Sequence, residues 1–398
     1  MSDPIKSQIE IILTAQDLEV GFVLPWDLHA KNGSMLLSRN REIKSQQQIN
    51  QLISYGARYY TDNSSAESAA TSQTQKTIAE PAVSFLIIKQ LSKQLEIALA
   101  LVGDEKDRTF ANKILRIALD IQTACDENSD AMLGSIQLTF DSPHSIIHPL
   151  HNGILCEVSY RCMGKGPLER LLVVAAALTQ NIGMLSIMDQ VYTQSEPLTP
   201  EQREVIDNHP YRSREILESK GVTEYRWLNA VQQHHERIDG SGYPEGISGE
   251  NLVTEAKIIA ITDNYVALVR PREYRDPILH KDALRQMMQQ RGSSIDSELV
   301  RLFINSIGIY APGSIVRLKS GAIGIVTTLT SQIDKPEVLI ITDTEEAPID
   351  SPTRVSTDTE EFVISTMLCP REYQTLLKTV GTIWPMRHPS AMESEHAY

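Results

Sequence analysis

The spacing of apolar residues changes along the chain and divides it into segments. Near the N-terminus, residues 21–27 and 34–37 have the pattern of two short strands around a turn. Ser45 stands at the start of a capped helix that is expected to end at Gly56. A stretch rich in Ser, Ala, Thr and Gln without apolar period follows, which is typical of a flexible linker. We therefore predict a small α/β unit over residues 1–62 and a linker over 63–80.

From Pro81 the apolar spacing is that of helices, and it stays so to about Ile307. Two amphipathic helices come first, the second from about Arg108 to Cys125, and they predict a helical pair over residues 81–130. The pair packs either on the following helical domain, residues 131–310, or on a second subunit as a dimerisation element. Packing into the core is the favoured alternative.

After Pro312 the pattern changes to strands at residues 314–318, 323–329 and 337–341, which predict a small β-module over 311–350. The acidic, turn-rich segment 342–361 is interpreted as a solvated loop or a loose extension, followed by a helix from Pro370 and a tail to residue 398. The fold class predicted is mainly α, with a helical domain between a small α/β unit and a β-module.

Composition narrows the classes of partner and compartment. The net charge of −14 disfavours DNA and anionic membranes, which bind basic surfaces. The longest strongly apolar run, Leu171–Leu178, is too short to span a bilayer, and the first residues lack the pattern of a signal peptide. The four cysteines have no metal-binding spacing. We expect a cytoplasmic protein with reduced thiols and no membrane span.

The densest polar chemistry is the stretch His234–Pro244, which follows a helix predicted over Val222–Gln233. Two adjacent histidines diverge by about 100° on a helix, so they serve one site only at the helix end. The pair alone is compatible with a helix C-terminus stabilised by the dipole. The whole string, with Asp239, Gly240, Gly242, Tyr243 and Pro244, resembles the signature of the HD-GYP family, whose members are mostly bacterial cyclic-di-GMP phosphodiesterases.

The resemblance implies a helical HD-superfamily domain with two metal ions. The ligands that it implies in this chain are His148, His209, His234, His235 and Asp263. His148 is expected at a helix cap, because Pro149 fits only a first helical turn; His151 is the alternative, and an i, i+4 pair of His144 with His148 is disfavoured. His209-Pro210 is expected to end the helix that Thr199-Pro200 opens. Asp263 lies on an apolar helix face, where a carboxylate is costly unless paired or metal-bound.

The chain departs from the family at the His-Asp dyad, where Gln180 and Asn181 stand. Amides carry no charge and are weak ligands for Zn, Mn or Fe, so Asn181 supplies no anionic bridge between metals. Met184 stands where many members have a lysine near the substrate phosphate. We expect Gln180 and Asn181 to be buried amides in a satisfied hydrogen-bond network. The cofactor is then none, or one divalent ion on the three histidines 209, 234 and 235.

Three functions remain open. In the first, a degenerate domain acts in signal transduction by binding cyclic-di-GMP or a related nucleotide through Arg272, Arg275 and Tyr243, or by binding a GGDEF-type cyclase domain through the loop 239–244. In the second, the chain is a working phosphodiesterase with one metal ion and two arginines as phosphate clamps. In the third, it is a structural protein that forms homo-oligomers through the helical pair.

Overall fold

The computed structural model describes residues 8–12, 28–31, 34–38, 41, 43–55, 58–62, 83–139, 142–271, 277–373, 376–377 and 383–384. The chain divides into two compact units, residues 1–78 and residues 79–398.

The first unit is a four-stranded antiparallel sheet with one helix in its described part. Its elements are β1 (Gln8–Ile12), β2 (Leu28–His29), β3 (Met35–Leu37), α1 (Gln46–Ser54) and β4 (Arg58–Asp62), and the strand order is β1-β4-β2-β3. The Ser45 hydroxyl accepts the Gln48 N–H, so the cap read from the sequence is present. The strand predicted at 21–27, Gly56 and the predicted linker 63–80 lie outside the described residues.

The second unit begins, over the residues described, with ten helices. They are α2 (Val83–Leu99), α3 (Phe110–Leu138), α4 (His144–Cys162), α5 (Pro167–Thr179), α6 (Leu185–Thr193), α7 (Pro200–Ser219), α8 (Tyr225–Gln233), α9 (Thr254–Val269), α10 (His280–Gln289) and α11 (Ser297–Ile307). Residues from α2, α3, α4, α5, α7, α8, α9, α10 and α11 form one continuous apolar core. The apolar faces of α2 and α3 belong to this core, so the helical pair packs on the helical domain.

Helix α3 is longer than the sequence pattern predicted, because it continues past Cys125 to Leu138. Asn128 has non-helical backbone angles, and its side-chain oxygen accepts the Ala131 N–H. This side chain caps the helical segment that starts after the kink. The boundary expected at residue 130 therefore falls inside α3.

Two prolines lie inside helices, contrary to expectation. Pro149 was expected in the first turn of its helix, and Pro210 was expected at the end of its helix. Pro149 is the sixth residue of α4, so His148 is not a cap and the helix runs through both His144 and His148. Pro210 lies inside α7, which continues to Ser219. Each proline removes only one backbone hydrogen bond, to the carbonyl four residues earlier, and the surrounding core stabilises the helix enough to tolerate that loss.

Helix α8 begins at Tyr225, three residues later than predicted, with Glu224 as its cap. The stretch Pro167–Thr193, which covers α5 and α6, is long and apolar enough to cross a membrane, and its most apolar 18-residue window has a mean hydropathy of 1.8. Because 67% of its most apolar window is buried inside the protein, it has the burial of a core helix.

A five-stranded antiparallel sheet follows the helices. Its strands are β5 (Ile315–Leu318), β6 (Ile323–Thr328), β7 (Glu337–Thr342), β8 (Pro348–Ser356) and β9 (Ile364–Leu368), in the order β8-β7-β6-β5-β9. The three predicted strands are confirmed as β5, β6 and β7. The sheet packs on α3 through Ala131, Ile315 and Ile323.

The prediction of a loop over 342–361 is wrong for residues 348–356, which form strand β8. Seven of the nine residues of β8 are exposed, because it is an edge strand with solvent on both faces. Hydrogen bonds to β7 define it, and no apolar alternation marks it in the sequence. The helix predicted from Pro370 begins as a 3₁₀ turn over Pro370–Tyr373, and residues 376 and 377, the next that the structure describes, are helical.

Candidate metal centre

Three histidines meet where α7 passes the end of α8. His209 lies in the middle of α7, while His234 is the C-cap of α8 and His235 follows it. One ring nitrogen from each lies within 4.8 Å of those of the other two. In the described part of the chain, these three histidines form the group whose possible ligand atoms lie close enough to hold one metal ion. The structure thus brings together the three histidines that were predicted to hold one divalent ion.

Backbone carbonyls fix the ring orientation of two of these histidines. His209 Nδ1 lies 2.5 Å from the Ile206 carbonyl oxygen, and His234 Nδ1 lies 2.6 Å from that of Val231. A carbonyl only accepts, so both Nδ1 atoms carry the proton. The Ile206 carbonyl is the one that Pro210 leaves without its helical partner. The sequence His209-Pro210 therefore accounts for the orientation of the imidazole.

The two Nε2 atoms then face each other as lone pairs. His209 Nε2 lies 3.1 Å from His234 Nε2. Burial, and next the neighbouring His234, lower the pKa of His209 to about 3. Burial also lowers the pKa of His234. Burial, and next the neighbouring His234, lower the pKa of His235 well below its usual value. The rings are therefore neutral near pH 7. Converging neutral imidazole lone pairs are a donor set that fits one divalent transition metal.

A rigid loop holds His235 against this group. The His235 carbonyl accepts the Tyr243 N–H at 3.2 Å, and the two rings stack with centroids 4.7 Å apart. The buried Glu236 carboxylate accepts the N–H groups of Glu245 and Ile247, at 2.6 and 3.1 Å. These contacts tie both ends of the loop to the histidines.

Gly242 is required in this loop for a steric reason. A Cβ on it would lie 2.5 Å from the Arg237 nitrogen and 2.5 Å from the Glu236 Cα, which are backbone atoms. Gly240 has a φ of 78° and provides the turn, while Asp239 accepts the N–H and hydroxyl of Ser241 at 2.9 and 2.7 Å. The loop is thus ordered by its own hydrogen bonds, and Asp239 lies at its tip.

The other predicted ligands meet at Asp263 on α9. Its Oδ1 lies 2.7 Å from His148 Nε2 and accepts the Gln180 amide at 2.8 Å. Burial works to raise the pKa of Asp263, but the hydrogen bond and charge of His148, with His235 and His234, outweigh it and lower the pKa. Asn152, one turn after His148 on α4, lies 3.5 Å from the same oxygen. Sequence reasoning missed Asn152, although its i, i+4 spacing from His148 places it on the same helix face.

The two amides at the dyad position are buried, as expected, but their network is incomplete. Gln180 is 0% exposed and Asn181 is 7% exposed. Among the described residues, neither Gln180 Oε1 nor Asn181 Oδ1 has a hydrogen-bond partner. The expectation of a satisfied network is therefore wrong for these two oxygens. Reversing the Gln180 amide would turn its oxygen toward the Asp263 carboxylate, so the carboxylate fixes its orientation.

A glycine allows α7 to approach the amides closely. A Cβ on Gly183 would lie 2.5 Å from the His209 carbonyl oxygen. The Gly183 N–H donates to the Ser213 hydroxyl, which donates to the Gln180 carbonyl, at 2.9 and 2.8 Å. The Ile-Gly that follows the dyad position thus sets the distance between α7 and the amide pair.

The remaining predicted residues are placed as follows. His148 contacts Asp263, whereas both ring nitrogens of the alternative, His151, lack partners among the described residues. Met184 is half-buried and lies three residues after Asn181. Arg272 and Arg275 lie outside the described residues.

Comparisons with known proteins agree with this architecture. Residues 154–299 match the HD domain family. The chain is 32% identical over 229 residues to a cyclic di-GMP phosphodiesterase of Pseudomonas aeruginosa, covering 57% of this chain and 54% of that protein. It is 26% identical over 186 residues to the cyclic di-GMP phosphodiesterase PdeB of Borreliella burgdorferi, covering 47% and 49%. The chain thus spans about half the length of these relatives.

A solved structure, described as an HDG"Y"P protein from Bdellovibrio bacteriovorus, is similar to this one with a TM-score of 0.48. The two are 15% identical, and the similarity covers 75% of this chain and 98% of that one.

Proposed function

We propose, from the premise that residues 154–299 are an HD domain, that this chain is a signalling protein that binds a cyclic dinucleotide such as cyclic-di-GMP and is impaired in two-metal hydrolysis. This match agrees with the HD-superfamily domain and the mainly helical fold class that the sequence predicted, and the relatives are named cyclic di-GMP phosphodiesterases. Those names support the class of ligand. The amide of Gln180, which contacts Asp263 at the dyad position, supports the impairment of two-metal hydrolysis.

The observation that carries the proposal is the contact between Gln180 and Asp263. A dinuclear site needs an anionic oxygen that bridges two cations about 3.5–4 Å apart. Here an amide donates to the Asp263 carboxylate, and His148 binds the same oxygen. The carboxylate stays anionic, but its Oδ1 is occupied by these two hydrogen bonds, and the amide beside it carries no charge. The donor set at this position does not fit a second metal ion.

The three histidines fit one metal ion. His209, His234 and His235 would hold it through neutral ring nitrogens, while α7 and α8 keep the two Nε2 atoms 3.1 Å apart. A divalent ion there would supply a positive charge that polarises a phosphate oxygen. Asp263 and His235 are only partly buried, so solvent or a ligand can reach this side of the cluster.

The same histidines favour a second candidate, an active phosphodiesterase with one metal ion. Its support is that His209, His234 and His235, the three predicted ligands of one metal ion, are all present and converge. In this candidate, Arg272 and Arg275 orient the phosphodiester. With either candidate function, the loop around Asp239 would be a docking surface for a GGDEF-type cyclase domain. A cytoplasmic location suits both, in keeping with the burial of the apolar stretch in α5 and α6.

The decisive experiment measures metal content by mass spectrometry and cyclic-di-GMP turnover by chromatography on the same purified protein. We expect at most one transition metal per chain and no turnover above buffer. The double variant Gln180→His, Asn181→Asp should gain metal. Two metals per chain with turnover in the natural protein would refute the impairment.

A matched pair of histidine variants tests the second candidate. His235→Ala removes a predicted metal ligand, whereas His29→Ala removes a histidine on β2 in the first unit, outside the HD domain. One metal per chain, with turnover that His235→Ala abolishes and His29→Ala retains, would establish an active phosphodiesterase.

Binding is tested separately by calorimetry with cyclic-di-GMP. We expect measurable heat for the natural protein and a loss of affinity in Arg272→Ala. Equal affinities would remove that arginine from the site, and absence of heat in the natural protein would contradict the nucleotide-binding proposal. A pull-down with a purified GGDEF domain, with Tyr243→Ala for comparison, tests the loop.

A further inference from the structure

A buried arginine near the site has no anionic partner among the described residues. Arg270 is the C-cap of α9 and is 4% exposed. Its Nε and Nη1 atoms are buried, and within the described ranges neither has a hydrogen-bond partner. Unlike Arg272 and Arg275, Arg270 belongs to no motif that the sequence singled out.

Arg170 provides an internal comparison. It is 9% exposed, similar to Arg270, but its guanidinium pairs with the fully buried Glu157 carboxylate. A buried guanidinium without a counter-charge is costly, because desolvation is not offset by an ion pair. In the part of the chain that the structure describes, no carboxylate lies within salt-bridge distance of Arg270. Burial lowers the pKa of Arg270, as expected for an uncompensated charge.

Among the described residues, the polar side chains associated with Arg270 are those of Tyr192 and His151. The Tyr192 hydroxyl accepts a hydrogen bond from it and donates to the Pro271 carbonyl. His151 is fully buried, and among the described residues neither of its ring nitrogens has a partner. Helices α4 and α9, which carry His151 and Arg270, pack in the same core, and burial, and next the charge of Arg270, hold the pKa of His151 well below its usual value. A neutral imidazole has one N–H, so His151 retains a donor beside the cation.

This pair is continuous with the Asp263 side of the site. His151 lies one turn after His148 on α4, and Arg270 lies seven residues, about two turns, after Asp263 on α9. The Tyr192 ring stacks on His144 at 3.7 Å, and His144 lies 4.6 Å from the His148 ring, which contacts Asp263. The helix faces that carry His148 and Asp263 thus extend to Arg270.

We propose that Arg270 and His151 form a phosphate-binding subsite next to the Asp263 half of the site. The identity of its ligand, one phosphate of a cyclic dinucleotide, rests on the proposed function, whereas the subsite itself rests on the guanidinium without a counter-charge. A phosphate offers several acceptor oxygens and the negative charge that the position lacks. Charge-assisted hydrogen bonds from a guanidinium to phosphate are among the stronger ones in proteins.

The test compares Arg270→Met with two matched controls. Arg170→Met removes a buried arginine that has a carboxylate partner, and Arg301→Met removes an exposed one, whose side chain is 68% exposed and pairs with Glu298. Each full-length variant is melted without anions, with inorganic phosphate and with cyclic-di-GMP, and the dissociation constants are measured by calorimetry.

Without anions, we expect Arg270→Met to melt at or above the temperature of the natural protein, because an uncompensated charge is removed, whereas Arg170→Met melts lower. With ligand, the stabilisation of the natural protein should disappear in Arg270→Met, with about a tenfold or greater rise in Kd, the loss of one charged hydrogen bond. Arg301→Met should match the natural protein. If Arg270→Met does not fold, Arg270→Lys replaces it, and we expect its Kd to lie above that of the natural protein by less than about tenfold, because lysine keeps the charge and loses the forked donors.

The outcomes separate the subsite from the proposed function. Binding of phosphate that depends on Arg270, without binding of cyclic-di-GMP, supports the subsite and contradicts the proposed ligand. Binding of cyclic-di-GMP with the same Kd in the natural protein and in Arg270→Met overturns the subsite and leaves the proposed function standing. Binding of neither probe by the natural protein also overturns the subsite.

Discussion

Replacing Asp263 by asparagine tests whether hydrogen bonds, rather than a second metal ion, stabilise this carboxylate. The change keeps the size of the side chain and removes its charge. Oδ1 accepts from His148 at 2.7 Å and from Gln180 at 2.8 Å. A hydrogen bond to a charged group contributes about 1.5–3 kcal/mol, and one between neutral groups about 0.5–1.5 kcal/mol. Two such bonds weakened by about 1 kcal/mol each predict a loss of about 2 kcal/mol in the free energy of unfolding.

The assay is urea unfolding followed by circular dichroism, in chelator and again with added zinc. Because the loss comes from hydrogen bonds within the protein, we expect the same loss of about 2 kcal/mol in both conditions. The control is Asp282→Asn, an exposed aspartate paired with Arg285, where a change within about 0.5 kcal/mol is expected. A variant that is as stable as the natural protein in chelator, but that loses zinc-dependent stabilisation, would show that Asp263 acts as a metal ligand and would refute the reasoning.

Three further predictions follow from particular contacts. Gly242→Ala should cost about 1–3 kcal/mol of stability in urea unfolding, because its Cβ would lie 2.5 Å from the Arg237 nitrogen; an unchanged midpoint would contradict this packing. Gly183→Ala should lower the zinc content measured by mass spectrometry, because its Cβ would lie 2.5 Å from a carbonyl oxygen of α7; full zinc content would contradict it. Arg170→Met should cost about 3–5 kcal/mol at pH 7 by leaving Glu157 unpaired. Burial raises the pKa of Glu157, so the folded state binds its proton more readily than the unfolded state. The cost of Arg170→Met should therefore shrink as the pH falls toward the ordinary glutamate range. A cost independent of pH would contradict the pairing of Arg170 with Glu157.

The sequence by itself determined the local features of this protein. Apolar period and capping residues predicted the helices and the strands β5, β6 and β7, because both are set by neighbouring residues. The resemblance to the HD-GYP motif identified His209, His234 and His235, which the structure brings together. The substitution at Gln180 was equally visible, since the absence of charge is a property of the residue type.

Tertiary packing decided what the local pattern could not. Strand β8 is polar and exposed, so only its pairing with β7 defines it. Helices α4 and α7 continue through Pro149 and Pro210 because core contacts compensate a lost hydrogen bond that a local rule treats as decisive. The Asp263 contact with Gln180 joins residues 83 positions apart. Whether a buried group such as Arg270 has a partner likewise depends on which helices meet around it, and that is fixed by the packing of the whole core.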